Sequence, residues 1–293
     1  MILEVKNLVK KHKKRLVLKW ITIQIDSPQI IALVGPNGSG KTTLMNCLMN
    51  LSPYQDGTVR ILGKDPKDRS LFYEVSYLQN HRVLYDNLTG YDHLKYICHV
   101  QKLPTSRIKE VAVYVGMDSY LKKRVRHYSL KMKQHLLLAM AIINKPKLVL
   151  LDEPLNGLDP SSAKQMRNIL LDLHAQGTTI IISSPNVEDI DKLTNTIWFM
   201  KDGQLLSEAL EDYSANYYKM NVSNIQKATS VLSGNSFSYT VKDQTILFNE
   251  TEVTLQTMID FLNQNEIQID KIENYKLGAE RRYMELFEGE VAK

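Results

Sequence analysis

Cysteine is nearly absent from this 293-residue chain: Cys47 and Cys98 stand alone, with no metal-ligand spacing around either. That excludes a disulfide framework or a zinc module and suits a reducing compartment, so both are expected to be packing residues. Long hydrophobic runs are missing too. The longest uninterrupted apolar stretch, Leu136 to Ile143, falls far short of the roughly 20 residues that cross a bilayer. No signal peptide is expected, because Met1–Val5 passes straight into a strand-like pattern. Repeats and low-complexity tracts are absent, and no large excess of one charge exists: 37 basic against 32 acidic residues leave a net +5. The one basic cluster, Lys10–Arg15, lacks the interleaved aromatics that stack on bases. It reads as a solvated hairpin turn, and no nucleic-acid partner is expected. What remains is the composition of an ordinary globular protein, long enough for one large domain or two unequal ones.

Against that background one stretch stands out. Gly35-Pro-Asn-Gly-Ser-Gly-Lys-Thr-Thr43 fits the phosphate-binding pattern G-x-x-x-x-G-K-[ST], with Gly35, Gly40, Lys41 and Thr42 in the fixed places. A buried strand is predicted before it (29–34) and a helix after it (44–49). Glycine lets such a loop turn sharply and aim successive backbone N–H groups inward, making an anion site at a helix N-terminus. Pro36, Asn37, Gly38, Ser39 and Thr43 belong to the same cradle. Lys41 is then placed for the β- and γ-phosphates and the Thr42 hydroxyl for Mg²⁺. The chain is expected to bind a nucleoside triphosphate.

Elsewhere, residues 2–9 and 16–26 look like two strands, with Ile21, Ile23 and Ile25 alternating against Thr22, Gln24 and Asp26. Further strands are predicted at 58–62 and 75–78, then a helical stretch from 87 onward. Leu148-Val-Leu-Leu-Asp-Glu153 is a solid apolar run ending in two carboxylates, and 178–183 repeats the form. All-apolar strands between helices predict a parallel sheet covered on both faces. Asp152 and Glu153 fall where ligands bind such sheets, at the strands' carboxyl ends. Asp152 is placed to hold Mg²⁺ and Glu153 to polarise a water attacking the γ-phosphate. From about 213 to 293 the pattern is β-α-β-β-α-β plus a final helix, which predicts a small ferredoxin-like α+β domain.

With these residues in hand, the chain resembles the ATP-binding subunits of ABC transporters over residues 1 to about 207, and most closely the subunits serving drug, bacteriocin and antimicrobial-peptide export or immunity. Leu148 to Pro160 looks like that family's Walker B segment and D-loop, with Asp159 as the D-loop carboxylate. Gly116–Asp118, Tyr128-Ser129 and Met200–Gly203 fall in family register, and Leu84–Thr89 supports the narrower match. The resemblance implies an ABC-type P-loop fold over residues 1–212: a mixed sheet core, an antiparallel β subdomain and an inserted helical subdomain at about 87–140, with an accessory domain at 213–293. It further implies a Mg²⁺-dependent ATPase that dimerises around two ATP molecules and drives membrane-spanning partner subunits from the cytoplasmic face of the membrane.

Several positions depart from the family pattern. The signature reads Tyr128-Ser129-Leu130-Lys131-Met132, where the family carries two glycines after the serine. Leu130 and Lys131 bring Cβ atoms to a place where backbone approaches the partner's γ-phosphate. The switch histidine falls on Pro185, which has neither side-chain donor nor N–H; His127 and His174 lie elsewhere and read as ordinary residues. The Q-loop amide falls on Asn80, with Gln79 one place early, and either is a candidate near Mg²⁺. The aromatic that stacks on adenine falls on His12. These departures suggest slow or partner-dependent hydrolysis and favour a heterodimer with a more regular ATP-binding subunit, a homodimer being the alternative. An ATP-gated regulatory or immunity module with little turnover is the second function class; a soluble ABC ATPase acting on ribosomes or DNA is the third.

Overall fold

The computed structural model describes residues 1–79, 83–184, 187, 190–209, 216–234, 237–242, 244–249, 253–276 and 278–287. Asn80 and Pro185 lie outside the described residues. The chain divides into two compact units, Met1–Glu208 with Tyr283–Lys293, and Ala209–Arg282.

In the first unit, β1 (Leu3–His12) and β2 (Arg15–Ile25) form an antiparallel hairpin, and β4 (Asp56–Ile61) pairs with the other edge of β1. Ile21, Ile23 and Ile25 are buried while Thr22 and Gln24 are exposed, as period-2 alternation requires. The basic cluster corrects one expectation. Lys13 and Lys14 do make the turn, but Lys10 is only 5% exposed and its ammonium donates to the Pro53 carbonyl. A charge at that depth is tolerated only with such a partner.

The central sheet has the order β5-β6-β7-β3-β8-β9. It is built from β3 (Ile30–Val34), β5 (Val75–Leu78), β6 (Leu148–Asp152), β7 (Thr179–Ser184), β8 (Thr196–Lys201) and β9 (Gln204–Ala209). The pairs β5/β6, β6/β7, β7/β3 and β3/β8 are parallel. β3 and β7 are buried along their whole length, which explains why their sequences carry no alternation. Helix α1 (Lys41–Leu48) follows β3 and sinks Leu44, Met45, Cys47 and Leu48 into the core. Cys98 is buried as well, so both thiols pack as expected.

The helical segment contains α2 (Gly90–Val100), α3 (Ser106–Tyr114) and α4 (Leu130–Ile142). A capping box starts α2: Thr89 accepts from the Asp92 N–H while the Asp92 carboxylate accepts from the Thr89 N–H. The apolar run that begins at Leu136 turns out to be the C-terminal half of α4, buried almost all round, as a helix without a polar stripe must be. Helix α5 (Pro160–Ala175) lies between β6 and β7.

The second unit runs β10 (Asn216–Val222), α6 (Ile225–Ser233), β11 (Tyr239–Lys242), β12 (Thr245–Asn249), α7 (Leu255–Gln264) and β13 (Ile269–Lys276). Its sheet is antiparallel in the order β11-β12-β10-β13, over a core that includes Met220, Leu232, Phe248, Met258 and Leu262. Helix α8 (Gly278–Phe287) closes the described chain. Sequence suggests one accessory domain over 213–293; by their contacts the described residues Tyr283–Phe287 group with the first unit.

Candidate nucleotide site

Three neighbouring strands deliver the site. The carboxyl end of β3 leads into the Gly35–Thr43 loop, that of β6 into Asp152 and Glu153, and that of β7, which lies between them, into Ser183 and Ser184. Register places Val34 opposite Ser184 and Asp152 opposite Ser183, so distant pieces of sequence meet without any loop rearrangement.

Gly35 has to be glycine for reasons of space: a Cβ there would sit 2.6 Å from the Met200 carbonyl oxygen and 2.9 Å from Ser39 Oγ. Gly40 stands at the N-cap of α1 with no side-chain cap, leaving the first N–H groups of the helix turned to the loop. Ser39 Oγ is buried without a hydrogen-bond partner among the described residues, an orphaned group of the kind a bound oxyanion satisfies. Lys41 is 5% exposed, and its ammonium donates to the Gly35 and Pro36 carbonyls at 2.7 and 3.2 Å. Burial lowers its pKa, and the charges of Glu153 and Asp152 oppose that shift.

Thr42 Oγ1 donates to Asp152 Oδ2 at 2.7 Å, and Ser183 Oγ donates to Asp152 Oδ1 at 2.6 Å. Ser183 also accepts from the Glu153 N–H at 3.0 Å. Glu153 adopts a left-handed φ of 53°, uncommon for a residue with a side chain and held here by the Ser183 contact. Asn156 Nδ2 reaches Glu153 Oε2 at 3.3 Å. A hydroxyl and a carboxylate meeting beside an acidic side chain is a donor set of hard oxygens, which fits Mg²⁺.

A cavity of about 900 Å³ opens over this loop. Its wall includes Gly38–Thr43 and Glu153, together with His12, Val17, Met200, Gly203, Leu286 and Phe287. The structure thus brings His12, Pro36, Asn37, Gly38, Ser39, Gly40, Lys41, Thr42, Thr43 and Glu153 to one cavity. It does not bring Gln79 there: that residue follows β5 and lines a separate groove beside α2.

The signature residues lie at the start of α4. Ser129 is its N-cap and accepts from the Met132 N–H at 3.3 Å. Leu130 is 37% exposed, and Gly157 makes room for it: a Cβ on Gly157 would lie 2.6 Å from Leu130 Cδ2. Asp159 caps α5, accepting from the N–H groups of Ser161 and Ser162 at 3.1 Å each and from both hydroxyls. These bonds, the Ser162 hydroxyl first, hold its carboxyl well below the usual range.

Sequence inspection missed Ser183, Asn156, Leu286 and Phe287. The polar pair ending an otherwise isoleucine-rich strand is a signal for Ser183. Phe287 carries no such signal.

Residues 18–156 match the ABC transporter family. The bacitracin transport ATP-binding protein BcrA of Enterococcus faecalis is 31% identical over 298 residues, spanning 98% of this chain and 97% of that protein. The lantibiotic transport ATP-binding protein SrtF of Streptococcus pyogenes is 34% identical over 215 residues, 73% of this chain and 93% of its own length. Among solved structures, an ATP-binding subunit of an ABC transporter aligns with a TM-score of 0.67 at 24% identity, over 73% of this chain and 92% of that one. A dimeric post-hydrolysis state of an ATP-binding cassette bound to ADP and Pi gives 0.66 at 20% identity, over 71% and 99%. Both structural likenesses concern the fold.

Proposed function

We infer that this chain, which belongs to the ABC transporter family as an ATP-binding and ATP-hydrolysing subunit, drives export of a peptide, toxin or drug through separate membrane-spanning subunits. The observation that carries this is the convergence of Lys41, Thr42, Asp152 and Glu153 at the carboxyl ends of β3 and β6, parallel strands on either side of β7. The N–H groups of the loop and the Lys41 ammonium bind the β- and γ-phosphates. Thr42 and Asp152 hold Mg²⁺, which when bound neutralises charge on the phosphoryl oxygens. Ser183 fixes the Asp152 carboxylate and, through the Glu153 N–H, the direction in which the Glu153 carboxylate points. Glu153 then orients the attacking water and accepts its proton.

Ser129, Leu130, Lys131 and Met132 serve the site of a second ATP-binding subunit, and Asp159 shapes the same junction through the start of α5. Leu130 and Lys131 stand where glycines would admit a phosphate, and Pro185 stands where a histidine would donate. A homodimer repeats both defects in each site; a heterodimer divides them. Losing one preorganised donor costs about 10²–10³ in rate. The isolated chain is therefore expected to hydrolyse ATP at least about a hundredfold more slowly than the complex with its partner. Steady-state phosphate release from the purified chain, alone and with candidate second subunits, tests this; full turnover alone, unaffected by Pro185→His, would defeat the heterodimer.

One surface supports docking of a membrane partner. Among the described residues no helix is long and apolar enough to cross a membrane. A groove of about 1030 Å³ runs between the end of α1, β5 and α2, rimmed by Phe72, Val83, Tyr85 and Tyr96, the two tyrosines each 70% exposed. Exposed rings beside an apolar trough suit an amphipathic helix projecting from a membrane subunit, and this supports a position at the cytoplasmic face of the membrane. Tyr96→Glu combined with Val83→Glu should abolish co-purification of a multispanning protein from native membranes and leave ATP affinity unchanged. Retention of that protein would move the docking surface elsewhere. The second unit is proposed to steady the dimer or dock a partner.

The packing of Leu130 on Gly157 favours one alternative, in which closure around ATP regulates or confers immunity with little turnover. Absence of hydrolysis even with both partners present would select it.

A further inference from the structure

A nucleotide with its phosphates on the Gly35–Thr43 loop must lay its base along the rest of the 900 Å³ cavity wall. Among the described residues, that wall carries only two aromatic rings, His12 on the β1–β2 hairpin and Phe287 at the end of α8. Phe287 is firmly seated. Its ring centroid lies 4.7 Å from that of Tyr283 and 6.4 Å from that of Phe199, a fully buried side chain of β8. The preceding carbonyl, that of Leu286, accepts from the Lys201 ammonium. Lys201 ends the same strand and lines the same cavity. A phenylalanine held this way has little rotamer freedom left to lose when a flat ligand arrives.

We propose that Phe287 packs against the nucleotide base, so that the C-terminal helix supplies an aromatic wall beside His12. This rests on the phosphate-loop assignment and adds to it the part of the site that recognises the base. An imidazole offers a small, polar face; a benzene ring beside Leu286 offers an apolar one, and every base has a π-face to stack on it. The site would then tell a nucleotide from a bare polyphosphate by a residue nearly 250 positions downstream of the loop.

The test uses the full chain and calorimetric titration with ATP, ADP and inorganic tripolyphosphate. Phe287→Ala is expected to weaken ATP and ADP binding alike, by about tenfold, and to leave tripolyphosphate affinity unchanged. Phe287→Trp should keep wild-type affinity or better, and the melting temperature of both variants should stay close to that of the wild type. Phe287→Ala with ATP affinity within twofold of wild type would overturn the proposal. So would tighter ATP binding, which would mean that the ring occupies the base position, or an equal loss for tripolyphosphate, which would mean a disturbed loop. Lys41→Ala separates the two layers. If it loses ATP while Phe287→Ala does not, the loop assignment stands and the base wall falls; if neither loses ATP, the loop assignment itself fails.

Discussion

Lys41→Ala should abolish ATP binding, with affinity falling by roughly a hundredfold or more. The ammonium is buried and already directed at two loop carbonyls, those of Gly35 and Pro36. Charge-assisted hydrogen bonds to phosphate are the strong ones, and removing a buried donor leaves its former partners unsatisfied as well. The phosphate contact is lost in the bound state alone, whereas the two carbonyls lose their donor in the free loop as well. Titration of the purified variant with ATP, alongside a thermal melt to confirm the fold, checks this. Affinity within threefold of wild type would sink the phosphate-loop assignment.

Glu153→Gln should leave Mg-ATP binding near the wild-type value and remove hydrolysis, by about 10²–10⁴ in rate. The amide keeps the shape of the carboxylate and its neighbour Asn156, 3.3 Å away, but cannot accept the proton of an attacking water. The left-handed backbone at this residue and the Ser183 contact to its N–H are unchanged by the substitution, so any effect belongs to the carboxylate. Single-turnover hydrolysis in a complex with the partner subunits measures it, and a closed dimer should accumulate. Turnover equal to wild type would mean that another group activates the water.

The two predictions rest on residues that sequence alone points to, and the reason is chemical. A phosphate cradle needs glycines and a lysine at fixed separations within one turn of chain, so Gly35–Thr43 carries its own signature. Asp152 and Glu153 are equally visible, since two carboxylates at the end of an unbroken apolar strand have few other uses. Contacts made by register are harder to see. Ser183 reaches Asp152 because β6 and β7 pair in parallel, a relation that no spacing encodes. Lys10 reads as one charge in a solvated run, but the pairing of β1 on both edges carries it against the Pro53 carbonyl. Gln79 is one residue beyond β5, and only the three-dimensional path shows that it borders the groove rather than the cavity. Phe287 is the extreme case: its place depends on the whole chain returning to its starting unit.

That return has a consequence for the order in which the protein becomes competent during synthesis. Ribosomes deliver the chain from the N-terminus at about 5–20 residues per second, and domains tend to fold as they emerge. Met1–Glu208 holds the phosphate loop and both carboxylates, yet the segment from Tyr283 follows only after all of Ala209–Arg282 has been made. A nascent chain can therefore fold its sheet while the cavity still lacks its last wall. Full nucleotide capture would begin only once the segment from Tyr283 has emerged, and chains broken off within the second unit would be left with a weak grip on ATP.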